Sequence, residues 1–171
     1  MRELDPQGRG QTRRQFLAES SLLVGASMAG SLDVSRSAYA AGSDELKIGL
    51  IGCGGRGSGS IANALTVNSG ARLHAMADAF ADRLESARSQ LEQKFRSQMD
   101  VAGRCFSGLD AGQKLIESGV QVAVLTQPPH FRPMHLEACV EAGVHVFAEK
   151  PMAVDAPGVR RVLVAGEKAR E

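Results

Sequence analysis

A glycine-rich turn between an apolar run and a helical stretch is the feature that most restricts how this chain can fold. The run Ile48–Ile51 predicts a buried strand, and it leads directly into a Gly-x-Gly-x-x-Gly pattern made by Gly52, Gly54 and Gly57. In a dinucleotide-binding turn the first glycine permits the tight turn, the second lets a pyrophosphate approach, and the third allows close helix packing. Because the chain has 19 glycines, a flexible glycine loop remains the alternative for this motif alone.

An acidic residue further along the chain favours the dinucleotide interpretation. Asp78 ends a second apolar run and lies 21 residues after Gly57. An acid about 20 residues beyond the glycines commonly binds the adenosine ribose. A carboxylate there also repels a 2′-phosphate, so we predict NAD as the cofactor, with NADP less favoured. Arg83, one helical turn later, is the residue that could instead reach a 2′-phosphate.

Composition excludes several other classes of function. The chain has 171 residues, 43% of them hydrophobic and 23% charged, which suits one domain with an extension. The net charge of +1 gives no electrostatic case for nucleic acid as a partner. The three cysteines form no CxxC pair and no zinc-like cluster with histidine, so we predict no metal site.

The first forty residues have the pattern of an export signal. Arg13 and Arg14 precede a mildly apolar segment that ends near Leu32, and Ala38 and Ala40 form an A-x-A cleavage pattern. The order resembles a twin-arginine signal, which predicts periplasmic or other export and a mature chain of residues 41–171. The segment is too short and too polar to span a membrane stably. A disordered N-terminus with a chance arginine pair is the alternative.

Strands and helices alternate through residues 41–171. Strands are predicted at 48–51, 73–77, 104–106, 120–126 and 144–148, and helices at 60–67, 82–95, 109–117, 132–142 and 155–170. This alternation predicts an α/β fold with a doubly wound parallel sheet of about five strands. In the last helix, Val159, Val162, Leu163 and Gly166 are predicted to face inward. Ligands in such sheets bind at the carboxyl ends of the strands.

Two loops carry a more specific signal than the glycine turn. Glu149-Lys150-Pro151 follows the fifth predicted strand, and Thr126-Gln127-Pro128-Pro129-His130 follows the fourth. Together with the opening GCGGRG, these stretches resemble the N-terminal Rossmann domain of the Gfo/Idh/MocA oxidoreductases over roughly residues 47–171. The resemblance implies a second, substrate-binding domain beyond this one, and we expect that domain to be missing from this chain. The resemblance therefore implies a truncated member, with an oligomer possible for a full-length form.

The resemblance also implies roles for residues at matching positions. For the cofactor, it implies that the pyrophosphate is held by Gly52, Gly54, Gly55 and Gly57, the adenosine ribose by Asp78, and the nicotinamide-ribose end by Thr126, Pro128 and His130. Glu149 would reach the ribose hydroxyls, and Lys150 would be the catalytic residue between nicotinamide and substrate. If it is partly desolvated there, Lys150 should have a lowered pKa and could exchange the proton of a hydroxyl that loses hydride.

Several nearby residues have two interpretations. His130 either lines the cofactor or bonds the loop backbone, and Arg56 either touches a phosphate or is simply exposed. His74, His135 and His145 are predicted to be surface residues rather than ligands, and Gly112 is predicted to loosen the short helix around it.

The resemblance implies an oxidoreductase that removes hydride from a sugar or polyol hydroxyl. The alternatives are an exported NAD-dependent glycosidase of the same superfamily and an inactive nucleotide-binding fragment. With the substrate domain expected to be missing, we expect the isolated chain to bind nucleotide weakly and to turn over no substrate appreciably. An open, apolar edge is expected on the strand at 144–148, because the sixth strand that would pair beside it in the doubly wound order is also expected to be missing.

Overall fold

A parallel five-stranded sheet forms the centre of residues 45–170, the part of the chain that the computed structural model describes. The strands are β1 (Leu46–Ile51), β2 (Ala71–Asp78), β3 (Cys105–Ser107), β4 (Val122–Leu125) and β5 (His145–Ala148). Their order is β3-β2-β1-β4-β5, and every neighbouring pair is parallel. The prediction of a parallel α/β sheet is confirmed. The predicted signal peptide at residues 1–40 lies outside the described residues.

Helices join the strands in the predicted alternation. They are α1 (Gly55–Val67), α2 (Ala81–Phe95), α3 (Ala111–Ile116), α4 (Arg132–Glu141) and α5 (Ala156–Lys168), with a 3-10 turn at Arg96–Gln98. The prediction that α1 begins at Ser60 is wrong, because the second half of the glycine motif forms its first turn. None of the helices within residues 45–170 is long and apolar enough to cross a bilayer.

Two hydrophobic cores lie on opposite faces of the sheet, as the doubly wound arrangement requires. Ile48 and Leu50 of β1 pack on one face with apolar residues of α1 and α2. Ile51 packs on the other face with apolar residues of α3 and α4. Gly49 also faces the second core, where a Cβ would lie 2.6 Å from the Leu115 side chain. The absence of a side chain at Gly49 therefore lets α3 pack close to the sheet.

The last helix packs differently from the sequence-based prediction. Val159 and Leu163 were predicted to face inward, but they are 47% and 62% exposed. The buried residues of α5 are Gly158 and Ala165. The prediction is wrong because α5 lies against α4 rather than against a face of the sheet. A Cβ at Gly158 would lie 3.3 Å from the Pro133 ring of α4, which shows how closely the two helices meet.

The strand order creates a topological switch point beside β1. After β3 the chain returns across the sheet, so β1 has β2 on one side and β4 on the other. Crossover helices leave β1 and β4 on opposite faces, which opens a crevice at the carboxyl ends of these two strands. The glycine turn follows β1, and the loop at 126–130 follows β4. Both predicted binding loops therefore border the same crevice.

Candidate cofactor site

The glycines of the turn divide into two that are packed and two that are open. Gly52 has a φ of +99°, and a Cβ there would lie 2.5 Å from the Gln127 backbone nitrogen. A Cβ at Gly57 would lie 2.1 Å from the Gly52 carbonyl oxygen, whereas a Cβ at Gly54 or Gly55 would meet nothing within 4 Å. The open pair lies at the N-terminus of α1, where unpaired N–H groups and the helix dipole favour a pyrophosphate.

Asp78 is fixed beside this turn by two backbone groups. Its Oδ2 accepts a hydrogen bond from the Cys53 N–H at 2.7 Å, and its Oδ1 accepts one from the Phe80 N–H at 2.9 Å. A carboxylate has about four acceptor sites, so lone pairs remain for ribose hydroxyls. Asp78 thus lies where it can fix the glycine turn and bind a ribose at the same time.

The thiol of Cys53 lies inside the turn and has no chemical role that the structure supports. Cys53 is buried, and its Sγ lies 3.5 Å from the Ala77 carbonyl oxygen. Burial, with a smaller contribution from the Asp78 charge, raises the pKa of this thiol to about 12. Cys53 is therefore a small residue that packs in the hydrophobic core beneath α1 and α2.

Thr126 makes a contact that the sequence did not predict. Its hydroxyl donates to the Gly52 carbonyl oxygen at 2.7 Å and so secures the glycine turn to the end of β4. Pro128 and His130, which were predicted to line the nicotinamide-ribose end with it, are exposed on the same loop. The His130 ring packs edge-on against Phe131, with ring centroids 5.3 Å apart.

An ion pair joins the glycine turn to the loop after β5. Arg56, on the first turn of α1, donates from Nε and Nη2 to Oε1 of Glu149. The Arg56 side chain is 72% exposed and that of Glu149 only 9%. The hydrogen bond from Arg56 holds the pKa of Glu149 below its usual value. Arg56 thus has a carboxylate partner, which neither of its two sequence-based interpretations included.

Lys150 follows Glu149 at the carboxyl end of the sheet. Its neighbour Pro151 is joined to it by a cis peptide bond. Lys150 is exposed, so the partial desolvation expected for a catalytic lysine is not provided by residues 45–170. The backbone of Glu149 donates to the Leu125 carbonyl oxygen at 3.0 Å, which extends the β4–β5 pairing to the residue before Lys150.

Arg132 is a buried residue of the site. The sequence predicted it only as the first residue of a helix and not as a site residue. It is 2% exposed, and its guanidinium donates to the carbonyl oxygens of Gln127 and Pro151. It therefore joins the loop after β4 to the loop after β5. Burial lowers the pKa of Arg132, while the negative charge of Glu149 opposes that shift. An arginine directly after a proline-rich loop was the signal available in the sequence.

A cleft of about 120 Å³ lies between the glycine turn, Asp78 and the loop after β4. His135, predicted at the surface, lines this cleft, and its Nδ1 lies 3.0 Å from Nε2 of Gln127. Burial lowers the pKa of His135. A Cβ at Gly112 would lie 2.4 Å from Nε2 of His135, so this glycine makes room for the imidazole.

The other two histidines that were predicted at the surface differ from each other. His145 is exposed, as predicted. His74 is 7% exposed, with Nδ1 at 3.2 Å from Asp100 and Nε2 at 3.2 Å from the Ser118 carbonyl oxygen, so its prediction is wrong. These contacts lie away from the glycine turn and join β2 to the segments after α2 and α3.

Comparison with known proteins agrees with this geometry. Residues 46–171 match the Gfo/Idh/MocA family model, described as an oxidoreductase family with an NAD-binding Rossmann fold. The chain belongs to this family. Its site fits NAD, because the open glycines, the helix N-terminus and the acid predicted to bind the ribose border one crevice.

Two curated relatives are inositol dehydrogenases. Inositol 2-dehydrogenase of Acidiphilium cryptum is 29% identical over 121 residues, which cover 70% of this chain and 33% of the relative. Inositol 2-dehydrogenase 4 of Saccharopolyspora erythraea is 31% identical over 121 residues, which cover 71% of this chain and 32% of the relative. The chain therefore spans about a third of the length of the curated relatives it matches.

Solved structures of similar proteins show the same fold. The WlbA dehydrogenase of Bordetella pertussis, in complex with NADH and UDP-GlcNAcA, has a TM-score of 0.59 and 25% identity, with 74% of this chain and 33% of that one covered. A putative myo-inositol dehydrogenase of Sinorhizobium meliloti has a TM-score of 0.57 and 25% identity, with 73% and 34% covered. Residues 46–171 are thus an NAD-binding Rossmann domain of an oxidoreductase family.

Proposed function

We propose that this domain serves a dehydrogenase that oxidises a hydroxyl group of a sugar or polyol. The observation that carries the proposal is the convergence of the glycine turn, Asp78 and the two loops after β4 and β5 at one edge of the sheet. The curated relatives named above, both inositol 2-dehydrogenases, support a polyol as the substrate class.

The residues at this edge would hold NAD in an extended conformation. Gly54, Gly55 and the N-terminus of α1 would hold the pyrophosphate, and Asp78 would accept from the adenosine ribose hydroxyls. Pro128 and His130 would border the nicotinamide ribose, while Thr126 fixes the turn beneath it. Bound NAD supplies the hydride acceptor for the reaction.

Lys150 is the residue proposed to handle the proton of the substrate hydroxyl. It directly follows Glu149 at the carboxyl end of the sheet, and its side chain is exposed and free to meet a substrate. A lysine in hydrogen-bond reach of a hydroxyl can polarise it and take or give its proton. Positioning of the hydroxyl against lysine and cofactor would contribute most of the rate enhancement, since such positioning lowers the activation barrier by roughly 7–11 kcal/mol in favourable cases.

Cofactor binding is the first test. We would titrate residues 41–171 with NAD and NADP by calorimetry and compare Gly54→Val, which fills the open side of the turn. NAD should bind more tightly than NADP, and Gly54→Val should weaken NAD while leaving the melting temperature nearly unchanged. The proposal fails if the unmodified protein binds neither nucleotide.

Substrate class is tested by following the absorbance of NADH with a panel of inositols and free sugars. Even slow reduction of NAD supports the proposal if it depends on the polyol and if Lys150→Ala removes it. A glycosidase would instead cleave a glycoside without net accumulation of NADH. Cleavage of that kind, with no reduction of NAD by any free polyol, would replace the dehydrogenase by the alternative.

Export through the twin-arginine pathway is a separate proposal. It is supported by Arg13 and Arg14 ahead of an apolar segment and by the A-x-A pattern that ends at Ala40. A protein exported in the folded state could carry its cofactor with it. Cells producing the Arg13→Lys, Arg14→Lys double variant should retain the precursor, and normal export of that variant would contradict the proposal.

A further inference from the structure

Arg132 breaks two general rules of protein structure at once. It is the first residue of α4, so its positive charge lies at the positive end of the helix dipole, and the first turn has no acidic residue. Its side chain is also 2% exposed, although a buried charge is costly unless it is well paired. Natural sequences tend to break local rules of this kind at functional sites.

The contacts of Arg132 show what this unfavourable placement achieves. Its two terminal nitrogens donate to carbonyl oxygens on two different loops, Gln127 after β4 and Pro151 after β5. Within the described part of the chain, Nε of Arg132 has no hydrogen-bond partner. The guanidinium is therefore used to join two backbone segments rather than to pair with a carboxylate.

One of these bonds falls directly beside the proposed catalytic lysine. The Pro151 carbonyl lies one residue after Lys150, and the Glu149 N–H, one residue before it, donates to Leu125. The backbone on both sides of Lys150 is thus held, by the β-ladder before it and by Arg132 after it. The Lys150 side chain itself is exposed.

We propose that Arg132 is a positioning residue that sets Lys150 and the loop after β5 against the loop after β4 at the nicotinamide end of the site. This inference rests on the proposed function. It predicts that Arg132 matters for the nicotinamide half of the cofactor and not for the adenosine half, because Asp78 and the glycine turn have no bond to the guanidinium.

The test compares two ligands that differ in the nicotinamide half. Arg132→Gln, Arg132→Lys and the unmodified protein are each titrated with NADH and with ADP. The control is Arg161→Gln, which removes an arginine that pairs with Glu137 on the exposed side of α4. Arg132→Gln should bind ADP within twofold of the unmodified protein but bind NADH at least tenfold more weakly. Arg132→Lys should lie between them, since an ammonium lacks the fork that spans two carbonyls.

A second measurement separates positioning from simple stability. The fluorescence of bound NADH at saturation reports the surroundings of the nicotinamide whatever the affinity, and Arg132→Gln should shift it towards that of free NADH. Arg161→Gln should leave both ligands and the fluorescence unchanged.

Each contrary outcome has a separate meaning. If the unmodified protein binds neither NADH nor ADP, the proposed function is wrong, and this inference, which rests on it, is wrong as well. If the unmodified protein binds both and Arg132→Gln weakens them equally, or weakens neither, the inference alone is overturned. Should Arg132→Gln fail to fold, Arg132→Lys is judged by the same criteria. If neither variant has the circular dichroism of the unmodified protein, Arg132 serves the fold rather than the position of Lys150.

Discussion

Gly57→Ala should destabilise the protein, although the residue lies in a helix that alanine normally favours. The added Cβ would lie 2.1 Å from the Gly52 carbonyl oxygen and 2.7 Å from Oγ1 of Thr126. The first of these atoms belongs to the backbone of the glycine turn, which is held by Thr126 and by the pairing of β1. No side chain can rotate to relieve that contact, so the first turn of α1 must move away from the sheet.

The size of the effect follows from two opposing contributions. Overpacking of a filled site costs about 1–3 kcal/mol, and a clash with backbone places Gly57→Ala near the upper end. Alanine regains about 1 kcal/mol of helix propensity relative to glycine. The net loss is about 2 kcal/mol. Since 1 kcal/mol shifts the melting temperature of a domain of this size by about 4 °C, we expect a fall of roughly 8 °C.

Gly54→Ala is the matched control, because the same methyl group there would meet nothing within 4 Å. Gly54 has φ of −75° and ψ of 179°, which any residue can adopt, so its stability should change by less than about 0.5 kcal/mol. Its NAD affinity should nevertheless fall about tenfold, since the methyl group enters the path of the pyrophosphate. Thermal unfolding and calorimetric titration measure the two effects. Equal melting temperatures for Gly57→Ala and the unmodified protein would refute the reasoning.

Three further predictions concern single side chains of the site. Asp78→Asn should narrow the preference for NAD over NADP in calorimetric titrations, because a neutral amide no longer repels a 2′-phosphate, and an unchanged preference would contradict this. Burial raises the pKa of Cys53 and Cys139 to about 12, so a thiol reagent at pH 8 should label at most Cys105 in the native protein and all three cysteines in denaturant. Burial lowers the pKa of His135 below 6.5, so the unfolded chain binds that proton first and stability falls as the pH drops below about 6.5. The melting temperature of His135→Gln should therefore fall less between pH 7 and pH 5 than that of the unmodified protein. Equal falls would show that His135 is not the source of this pH dependence.

The fold was predictable from the sequence because it depends on local patterns. The apolar runs of β1 and β2, the glycine turn between β1 and α1, and the regular alternation of elements each act over a few residues. Crossover rules then leave few topologies open. The position of Asp78 beside the glycine turn was predictable for the same reason, since its distance along the chain from Gly57 is set by one helix and one strand.

Contacts between distant segments could not be predicted in this way. The pairing of Arg56 with Glu149 joins residues 93 positions apart, and nothing in the sequence around either residue specifies the other. The inward face of α5 was predicted wrongly because helical periodicity shows which residues are apolar, not which surface the helix meets. Val159 and Leu163 are apolar and exposed, while the small Gly158 and Ala165 are the buried residues of α5.

The pairing of Arg56 with Glu149 predicts a distinctive dependence of stability on pH. Arg56 holds the pKa of Glu149 below 4.5, so the pair stabilises the folded state at pH values above 4.5 and this contribution is lost as the pH falls through the lowered pKa. Arg56→Gln should therefore lower the melting temperature at pH 7, and the gap from the unmodified protein should close as the pH is lowered towards 3. Arg161→Gln, at the exposed pair with Glu137, should show a small effect at pH 7. A gap for Arg56→Gln that stays constant between pH 7 and pH 3 would show that Arg56 acts through packing rather than through the Glu149 charge.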